Sequence, residues 1–356
     1  MTRPAITGTG SYIPEIIVPN DAFLYAQFFD SNGTKLYKSN TTVVEKFSTI
    51  TGIEERRYAR SDHNASDLAY LSALEAIAHS RIDKESLDYI IVAHNFGDVS
   101  FETNRTRQVP TLASRVKALL QINNPDCVAY DLPFGCPGWI EGMIQACYFI
   151  NSGDAQKCLV IGAETLSRVI DPHDRDSMIF GDGAGATILE VAHSKESGIL
   201  AHKTQTHAVD GINMLSMAHS CSPFASRRED LFLKMEGRKV YEFALTHVPS
   251  VIKHTLDKAG VAIDQVSKVL IHQANEKMDR AILARLFQLY GQTCVPEYIM
   301  PMTIRWLGNS SVATIPTLLD LLVRGQLDGH SVKDGDIVVL ASVGAGMNIN
   351  AIVYRI

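Results

Sequence analysis

Two stretches of this chain read alike. Gly153-Asp154 is followed after seven residues by Gly162-Ala163, and Gly335-Asp336 is followed after seven residues by Gly344-Ala345, roughly 180 residues further on. A second pair keeps the same order: Ile82-Asp83 with Ser86 ahead of an apolar run, and Ile263-Asp264 with Ser267 ahead of another. Each match alone is an ordinary turn before a strand. Two of them, in order and at nearly one separation close to half of the 356 residues, predict a duplicated unit. The halves fall at 1–190 and 191–356, and a site is expected where they meet.

The repeated unit is built from apolar runs of strand length at 89–93, 127–131, 157–162, 186–190, 268–271, 337–343 and 349–354. Between them lie helical patterns at 65–80, 139–151, 241–259, 276–289 and 311–323, several with Ser, Asn or Asp in capping position. Strands that are apolar throughout, alternating with helices, predict an α/β fold whose sheets are covered on both faces. An apolar fraction of 46% against 20% charged suits a chain with a large core and excludes a disordered one. Two segments, 27–45 with the turn Ser31-Asn32-Gly33-Thr34 and 97–107 with Asp98, Glu102 and Arg105, read as insertions of the kind that cover sites.

Several partners are argued against. The formal charge is −6 and the basic residues form no run, which speaks against nucleic acid. Asp320 breaks the apolar stretch Leu318-Leu319-Asp320-Leu321-Leu322, and no membrane span is expected. Met1-Thr2-Arg3-Pro4 runs straight into Ala5-Ile6-Thr7-Gly8-Thr9-Gly10 with no apolar export core, so a cytoplasmic location is expected. Cys127, Cys136, Cys147, Cys158, Cys221 and Cys294 contain no CxxC pair and no metal-ligand spacing; they predict reduced thiols, mostly core fillers, and no metal.

Cys136 stands apart from the others. In Tyr130-Asp131-Leu132-Pro133-Phe134-Gly135-Cys136-Pro137-Gly138-Trp139 a strand ends, a Gly/Pro turn follows and a long apolar helix begins, with Pro137 suited to the first helical position. A thiol at a helix entry feels the positive end of the dipole, which favours thiolate and hence a nucleophile. The competing reading is a buried structural cysteine. His272, after the strand 268–271, faces the crevice of an α/β fold as a base or donor, or else sits satisfied in the core. Asn309 in Leu307-Gly308-Asn309-Ser310-Ser311 is a polar site residue or a helix N-cap. Phe180-Gly181-Asp182-Gly183-Ala184-Gly185 fits no phosphate loop and reads as close chain packing, whereas Ser342-Val343-Gly344-Ala345-Gly346 ends a strand and can offer a backbone N–H to an oxyanion.

Taken together these segments resemble the ketoacyl-acyl-carrier-protein synthase III family of the thiolase superfamily. The motifs, in order, are Gly8-Thr9-Gly10-Ser11-Tyr12-Ile13-Pro14, Thr51-Gly52-Ile53, the Cys136 loop, Gly162-Ala163-Glu164, Phe180 to Gly185, His272-Gln273-Ala274-Asn275, Gly308-Asn309-Ser310-Ser311 and Gly344-Ala345-Gly346. The resemblance covers nearly the whole chain. It implies a thiolase-like, five-layered α-β-α-β-α fold of two similar halves, a homodimer, and a catalytic Cys136, His272 and Asn309. It implies no tightly bound cofactor: substrates arrive as phosphopantetheine thioesters, on acyl carrier protein, on coenzyme A or on both. Cys136 would take an acyl group and condense it with malonyl-carrier after loss of CO2, in fatty-acid initiation or a related lipid or polyketide pathway. Backbone N–H groups of Cys136 and Ala345 would hold the oxyanion, and Arg175, Asn275 and Lys277 would meet the thioester arm and the carrier.

The chain departs from the family at Lys46 and Ile50, where well-known bacterial members carry a Trp and an Arg that grip adenine. Val109 falls near the position of a lid contributed across the dimer. Two other readings are carried forward. One is a non-decarboxylating condensation of the hydroxymethylglutaryl-coenzyme A synthase type, with Asp98 or Glu102 as base; the other is a non-catalytic dimer partner that binds acyl chains.

Overall fold

The apolar strands assemble into two mixed sheets. A computed structural model describes residues 3–101, 103–191, 197–226 and 229–356. The first sheet contains β1 (Pro4–Tyr12), β2 (Tyr89–His94), β3 (Val128–Pro133), β4 (Lys157–Thr165) and β5 (Asp182–Val191), in the spatial order β1-β5-β4-β2-β3. The second contains β6 (Gly198–Thr206), β7 (Val266–Ile271), β8 (Ile337–Gly344) and β9 (Asn348–Arg355), in the order β6-β9-β8-β7. β2 is parallel to β4 and β7 is parallel to β8, while β5 and β9 run antiparallel to their neighbours. β1, β5, β4 and β2 thus correspond to β6, β9, β8 and β7.

Alternation along these strands sets the layers, because successive side chains leave opposite faces of a sheet. From the first sheet, Ile90, Val92, Leu159 and Ile161 pack beneath α2 (Ala65–Ser80) and α3 (Leu112–Leu119). Their neighbours Ile91, Ala93, Cys158 and Val160 point the other way, onto α4 (Gly138–Ser152) and α7 (Thr314–Val323). Leu270, Val338, Leu340 and Ile352 of the second sheet enter the same central layer, and Val269, Ile271, Val339 and Ala341 pack on α5 (Gly237–Ala259) and α6 (Glu276–Gln288). The result is the five-layered α-β-α-β-α architecture of the thiolase-like fold.

Local chemistry starts and stops the helices. Asn64 and Asp67 form a capping box on α2, with the Asn64 N–H donating to Asp67 Oδ2 at 2.7 Å. Asn275 accepts from the Met278 N–H at 3.0 Å and caps α6. The pattern at 311–323 is interrupted: Ser311–Ala313 forms a 3-10 turn in which Ser311 has φ +54, and only Thr314–Val323 is α-helical. The inserted segment 27–45 is less polar in its packing than its composition suggests, since Phe28 and Phe29 are buried and helix α1 (Asn40–Thr51) starts within it. Within the segment 97–107, Asp98–Val99 pairs antiparallel with Thr106–Arg107. Of the five cysteines read as core fillers, Cys127, Cys147 and Cys158 are buried, whereas Cys221 is half-buried and Cys294 exposed.

Gly162 lies near the C-terminal end of β4 and Gly344 ends β8, and each glycine receives a loop from the other half. A Cβ on Gly162 would lie 2.4 Å from the Val312 carbonyl oxygen; one on Gly344 would lie 2.7 Å from the Cys136 N and 2.9 Å from its Cβ. Gly344 has φ −167, which any residue adopts, so its requirement is purely steric. Gly335 is the opposite case, with φ +87 and nothing within 4 Å of a Cβ. Gly344→Ala is therefore expected to lower urea stability by about 1–3 kcal/mol and to slow alkylation of Cys136. Gly335→Ala is expected to lower stability by roughly 1–2 kcal/mol and leave that alkylation rate unchanged.

Candidate active site

Strand β3 delivers the Cys136 loop. Gly135 takes φ +69, its carbonyl accepts from the Gly138 N–H at 3.0 Å, and α4 begins at Gly138 with Pro137 immediately before it. The Pro137 carbonyl accepts from Asn350 Nδ2 at 2.9 Å, which ties the loop to β9 of the second sheet. Cys136 keeps some surface open to a cavity, yet protein surrounds the thiol at longer range. That enclosure decides its charge: burial pushes the thiol up to about 11, opposed by the Ser311 hydroxyl. The helix-entry argument predicts the opposite direction. A helix dipole contributes about 0.3–1 kcal/mol, less than one pKa unit, and desolvation outweighs it here.

His272 follows β7, anchored by its N–H to the Ala341 carbonyl at 2.9 Å. Its ring is buried, and desolvation pushes its pKa down to about 4, with only a backbone hydrogen bond at Ser311 working against the shift. The imidazole is neutral at physiological pH, so it presents a single N–H. Nδ1 is fully buried, with no hydrogen-bond partner among the described residues.

Asn309 uses its side chain partly as the capping reading expects. Its Oδ1 accepts from the Ser311 N–H at 2.7 Å. Only the oxygen can accept, so the NH2 group must be the free end of the amide. The loop is pinned by backbone pairing with the Phe180 segment: the Asn309 N–H donates to the Ile179 carbonyl and the Gly181 N–H to the Asn309 carbonyl, each at 2.8 Å. A Cβ on Gly181 would lie 2.6 Å from the Leu307 carbonyl oxygen, which accounts for glycine in that motif.

Cys136, His272, Asn309 and Ala345 line one cavity of about 40 Å³, walled by Leu166, Phe180, Leu215, Leu233 and Val343. A Cβ on Gly135 would lie 3.1 Å from the Ala345 backbone N, so that nitrogen sits against the Cys136 loop. Met235, Val240, Ala274 and Met278 belong both to this cavity and to a larger one of about 560 Å³ that opens outward. Arg175, Asn275, Lys38, Lys46 and Ile50 line the outer cavity, together with the rings of Phe47 and Tyr241. Lys277 lies outside it, exposed in the first turn of α6.

Of the two carboxylates named for a base, Asp98 differs from expectation. Asp98 does not line the cavity: its two oxygens accept from the Ser66 N–H and hydroxyl at 2.8 Å, and Arg115 lies at 3.4 Å. Glu102 lies outside the described residues. Three residues without an assigned role prove to be linked to the site, Ser311 and Asn95 in its wall and Glu164 through Asn95. Ser311 donates its hydroxyl to Cys136 Sγ at 3.2 Å and accepts from Asn95 Nδ2 at 2.9 Å. Glu164 is fully buried, and burial pushes its carboxyl up to about 7. Ser311 and Glu164 both stand in quoted motifs, and that was their only sequence signal; Asn95, after β2, had none.

Comparison with known proteins places these features in a family. The family model described as 3-oxoacyl-[acyl-carrier-protein (ACP)] synthase III matches residues 130–208, and that of its C-terminal part matches 256–356. The chain is 35% identical over 353 residues to a beta-ketoacyl-[acyl-carrier-protein] synthase III of Lactococcus lactis, covering 98% of this chain and 97% of that protein. It is 33% identical over 360 residues to one of Porphyra purpurea, covering 98% of each. Among solved structures, 3-oxoacyl-[acyl-carrier-protein] synthase III of Aquifex aeolicus superposes with a TM-score of 0.81 at 30% identity, covering 99% of this chain and 100% of that one. The Thermus thermophilus enzyme gives 0.80 at 30%, covering 99% of each.

The neutral imidazole has a measurable consequence. With its folded pKa pushed below the ordinary 6.5, His272 takes up a proton in the unfolded chain first as the pH falls. The stability this group contributes is complete above about pH 6.5 and is lost as the pH drops towards 4. Relative to His272→Gln, the wild-type protein is expected to lose on the order of 3 kcal/mol between pH 7 and pH 4, read from urea unfolding at each pH. The difference between the two proteins cancels the opposite contribution of Glu164.

Proposed function

Because the chain belongs to the 3-oxoacyl-[acyl-carrier-protein] synthase III family, we propose that Cys136, His272 and Asn309 carry its acyl transfer and decarboxylative condensation. The protein is an acyltransferase of the beta-ketoacyl synthase type. The observation that carries the residue assignment is the single cavity on which all three side chains and Ala345 converge.

Cys136 Sγ attacks the carbonyl carbon of an acyl thioester; the new C–S bond forms as the donor thiol leaves with the proton that Cys136 gives up. Malonyl-carrier then enters and its C–C bond to the carboxylate breaks, releasing CO2. The electron pair moves onto the thioester oxygen, where the His272 N–H and the Asn309 NH2 donate to the enolate. Two neutral donors serve a developing anion in a dry site. The enolate carbon attacks the acyl group on Cys136, and backbone N–H groups of Cys136 and Ala345 hold the tetrahedral oxyanion until the thiolate leaves. No tightly bound cofactor takes part; both substrates arrive as phosphopantetheine thioesters.

The outer cavity suits that arm. Arg175, Lys38 and Lys46 give it a cationic rim, Asn275 stands at its inner end, and Lys277 offers a charge beside it to an acidic carrier protein. The protein acts as a homodimer in the cytoplasm. In support, β3 is an edge strand, and Val109 is 90% exposed, available to a partner's site. No helix among the described residues is long and apolar enough to cross a membrane. The non-decarboxylating alternative needs a carboxylate at the acyl group, and Asp98 is spent on α2. A non-catalytic acyl binder would not need donors converging on a thiol.

Acyl loading should map to Cys136 by peptide mass and disappear in Cys136→Ala. An adduct on Cys127 or Cys147 would refute the assignment. His272→Ala and Asn309→Ala are expected to load acyl groups yet release CO2 from malonyl-carrier about 10²–10³ times more slowly; normal release would remove them from the step. With Lys46 and Ile50 where an adenine grip is expected, acyl-carrier protein should load Cys136 with a higher kcat/KM than the same acyl group on coenzyme A, by about ten-fold. Lys277→Glu should slow loading from the carrier most. Equal rates from both donors would mean that Phe47, Tyr241 or Lys38 supplies the adenine site instead.

A further inference from the structure

Cys136 poses a question that His272 and Asn309 do not answer. Its thiol must ionise to react, burial opposes ionisation, and no hydrogen bond joins it to the imidazole among the described contacts. The group that does touch Sγ is the Ser311 hydroxyl, at 3.2 Å. We infer that Ser311 is the donor that makes Cys136 reactive, and that Asn95 and Glu164 are positioning residues that aim its hydrogen at the sulfur; the inference rests on Cys136 being the nucleophile.

The direction of the hydrogen bonds carries the argument. A hydroxyl has one hydrogen and two lone pairs, and it rotates to suit its neighbours. Asn95 Nδ2 fills a lone pair of Ser311 Oγ at 2.9 Å, and an N–H cannot accept in return. The hydroxyl hydrogen is thereby left for Sγ. Asn95 is oriented in turn by Glu164 Oε2, which accepts from its side-chain Nδ2 at 2.6 Å and from its backbone N–H at 2.7 Å. The amide cannot flip without putting its oxygen against a carboxylate oxygen. The chain thus runs one way, from Glu164 through Asn95 and Ser311 to Cys136.

The backbone supports the same reading. Ser311 is held at φ +54, a conformation unusual for a residue with a Cβ, and strain of this kind persists where the surroundings over-determine it. Its N–H is fixed by Asn309 Oδ1 at 2.7 Å. Ser311 therefore links the decarboxylation donor to the nucleophile: one loop sets both. Glu164 Oε1 is buried with no hydrogen-bond partner among the described residues, and the hydrogen bonds this carboxyl accepts all run from Asn95 to Oε2.

The test is the pH dependence of Cys136 alkylation by iodoacetamide, followed by peptide mass in the full-length protein. Ser311→Gly removes the hydroxyl and also eases the left-handed backbone, so it keeps the fold; Ser311→Ala is the second variant. Between pH 7.5 and 9.5 both are expected to slow alkylation by about 10- to 100-fold, and Asn95→Ala is expected to slow it less. Glu164→Gln retains an acceptor for Asn95 and removes a nearby charge, so its rate should stay at or above the wild-type value. An unchanged rate in both Ser311 variants overturns the inference, as does a fall in Glu164→Gln equal to theirs. Alkylation needs no acyl donor. Failure here with acyl loading on Cys136 intact would refute Ser311 alone, whereas absence of acyl adducts at Cys136 would refute the nucleophile.

Discussion

The close approach of each half's loop to a glycine of the other half is the contact on which this molecule depends. Gly344 lets the Cys136 backbone come within 2.7 Å of where a side chain would begin, and Gly162 does the same for Val312 at 2.4 Å. These contacts join the end of β8 to the head of α4, and the end of β4 to the turn that precedes α7. The Cys136 loop and the turn that carries Ser311 and Val312 are therefore each positioned against the opposite sheet. The central layer follows from the same arrangement, because α4 and α7 can both lie between the sheets only if their N-terminal loops nest at the strand ends. Asn350, reaching the Pro137 carbonyl from β9, adds a hydrogen bond to the same junction.

What the packing creates is a site of buried, mostly uncharged groups. The thiol is pushed up, the imidazole down, and the Glu164 carboxyl up to about 7. An ion pair of Cys and His would pay for desolvation twice in so small a space. Oriented N–H and O–H donors avoid that penalty, since they stabilise negative charge only when it develops. The cavity of about 40 Å³ is walled chiefly by apolar side chains, which strengthens each donor by excluding water.

The fold was legible because its signals are periodic or repeated. Strand runs such as 157–162 and 337–343 fall within β4 and β8, and the offset of Gly162 from Gly344 marks two strands that hold the same place in their sheets. Cys136 was visible through a strand-turn-helix pattern, and His272 through its place after a strand. Ser311 and Glu164 were visible only as letters in motifs, since nothing local says that a serine after Asn309 will face a thiol. Asn95 carried no signal, because its partners lie 69 and 216 positions away. The charge on Cys136 was misjudged for the same reason: the helix entry is local, while burial is set by the whole fold.

The mouth of the site is governed by different segments from its floor. Backbone of the inserted 27–45 segment binds the turn after β4: the Phe29 N–H donates to the His173 carbonyl at 2.9 Å. Lys234, held by Asp171 at 2.5 Å and Asp174 at 3.0 Å, fixes the strand Phe232–Met235 to that turn. Leu233 and Met235 of this strand reach the inner cavity, while Lys38, Val43 and Arg175 border the outer one. The rim can therefore change its insertion, its cations and its fit to a donor while the glycine contacts that hold Cys136, His272 and Asn309 remain untouched. Lys46 and Ile50 stand on that rim, so a change there alters the outer cavity and leaves the floor around Cys136, His272 and Asn309 in place.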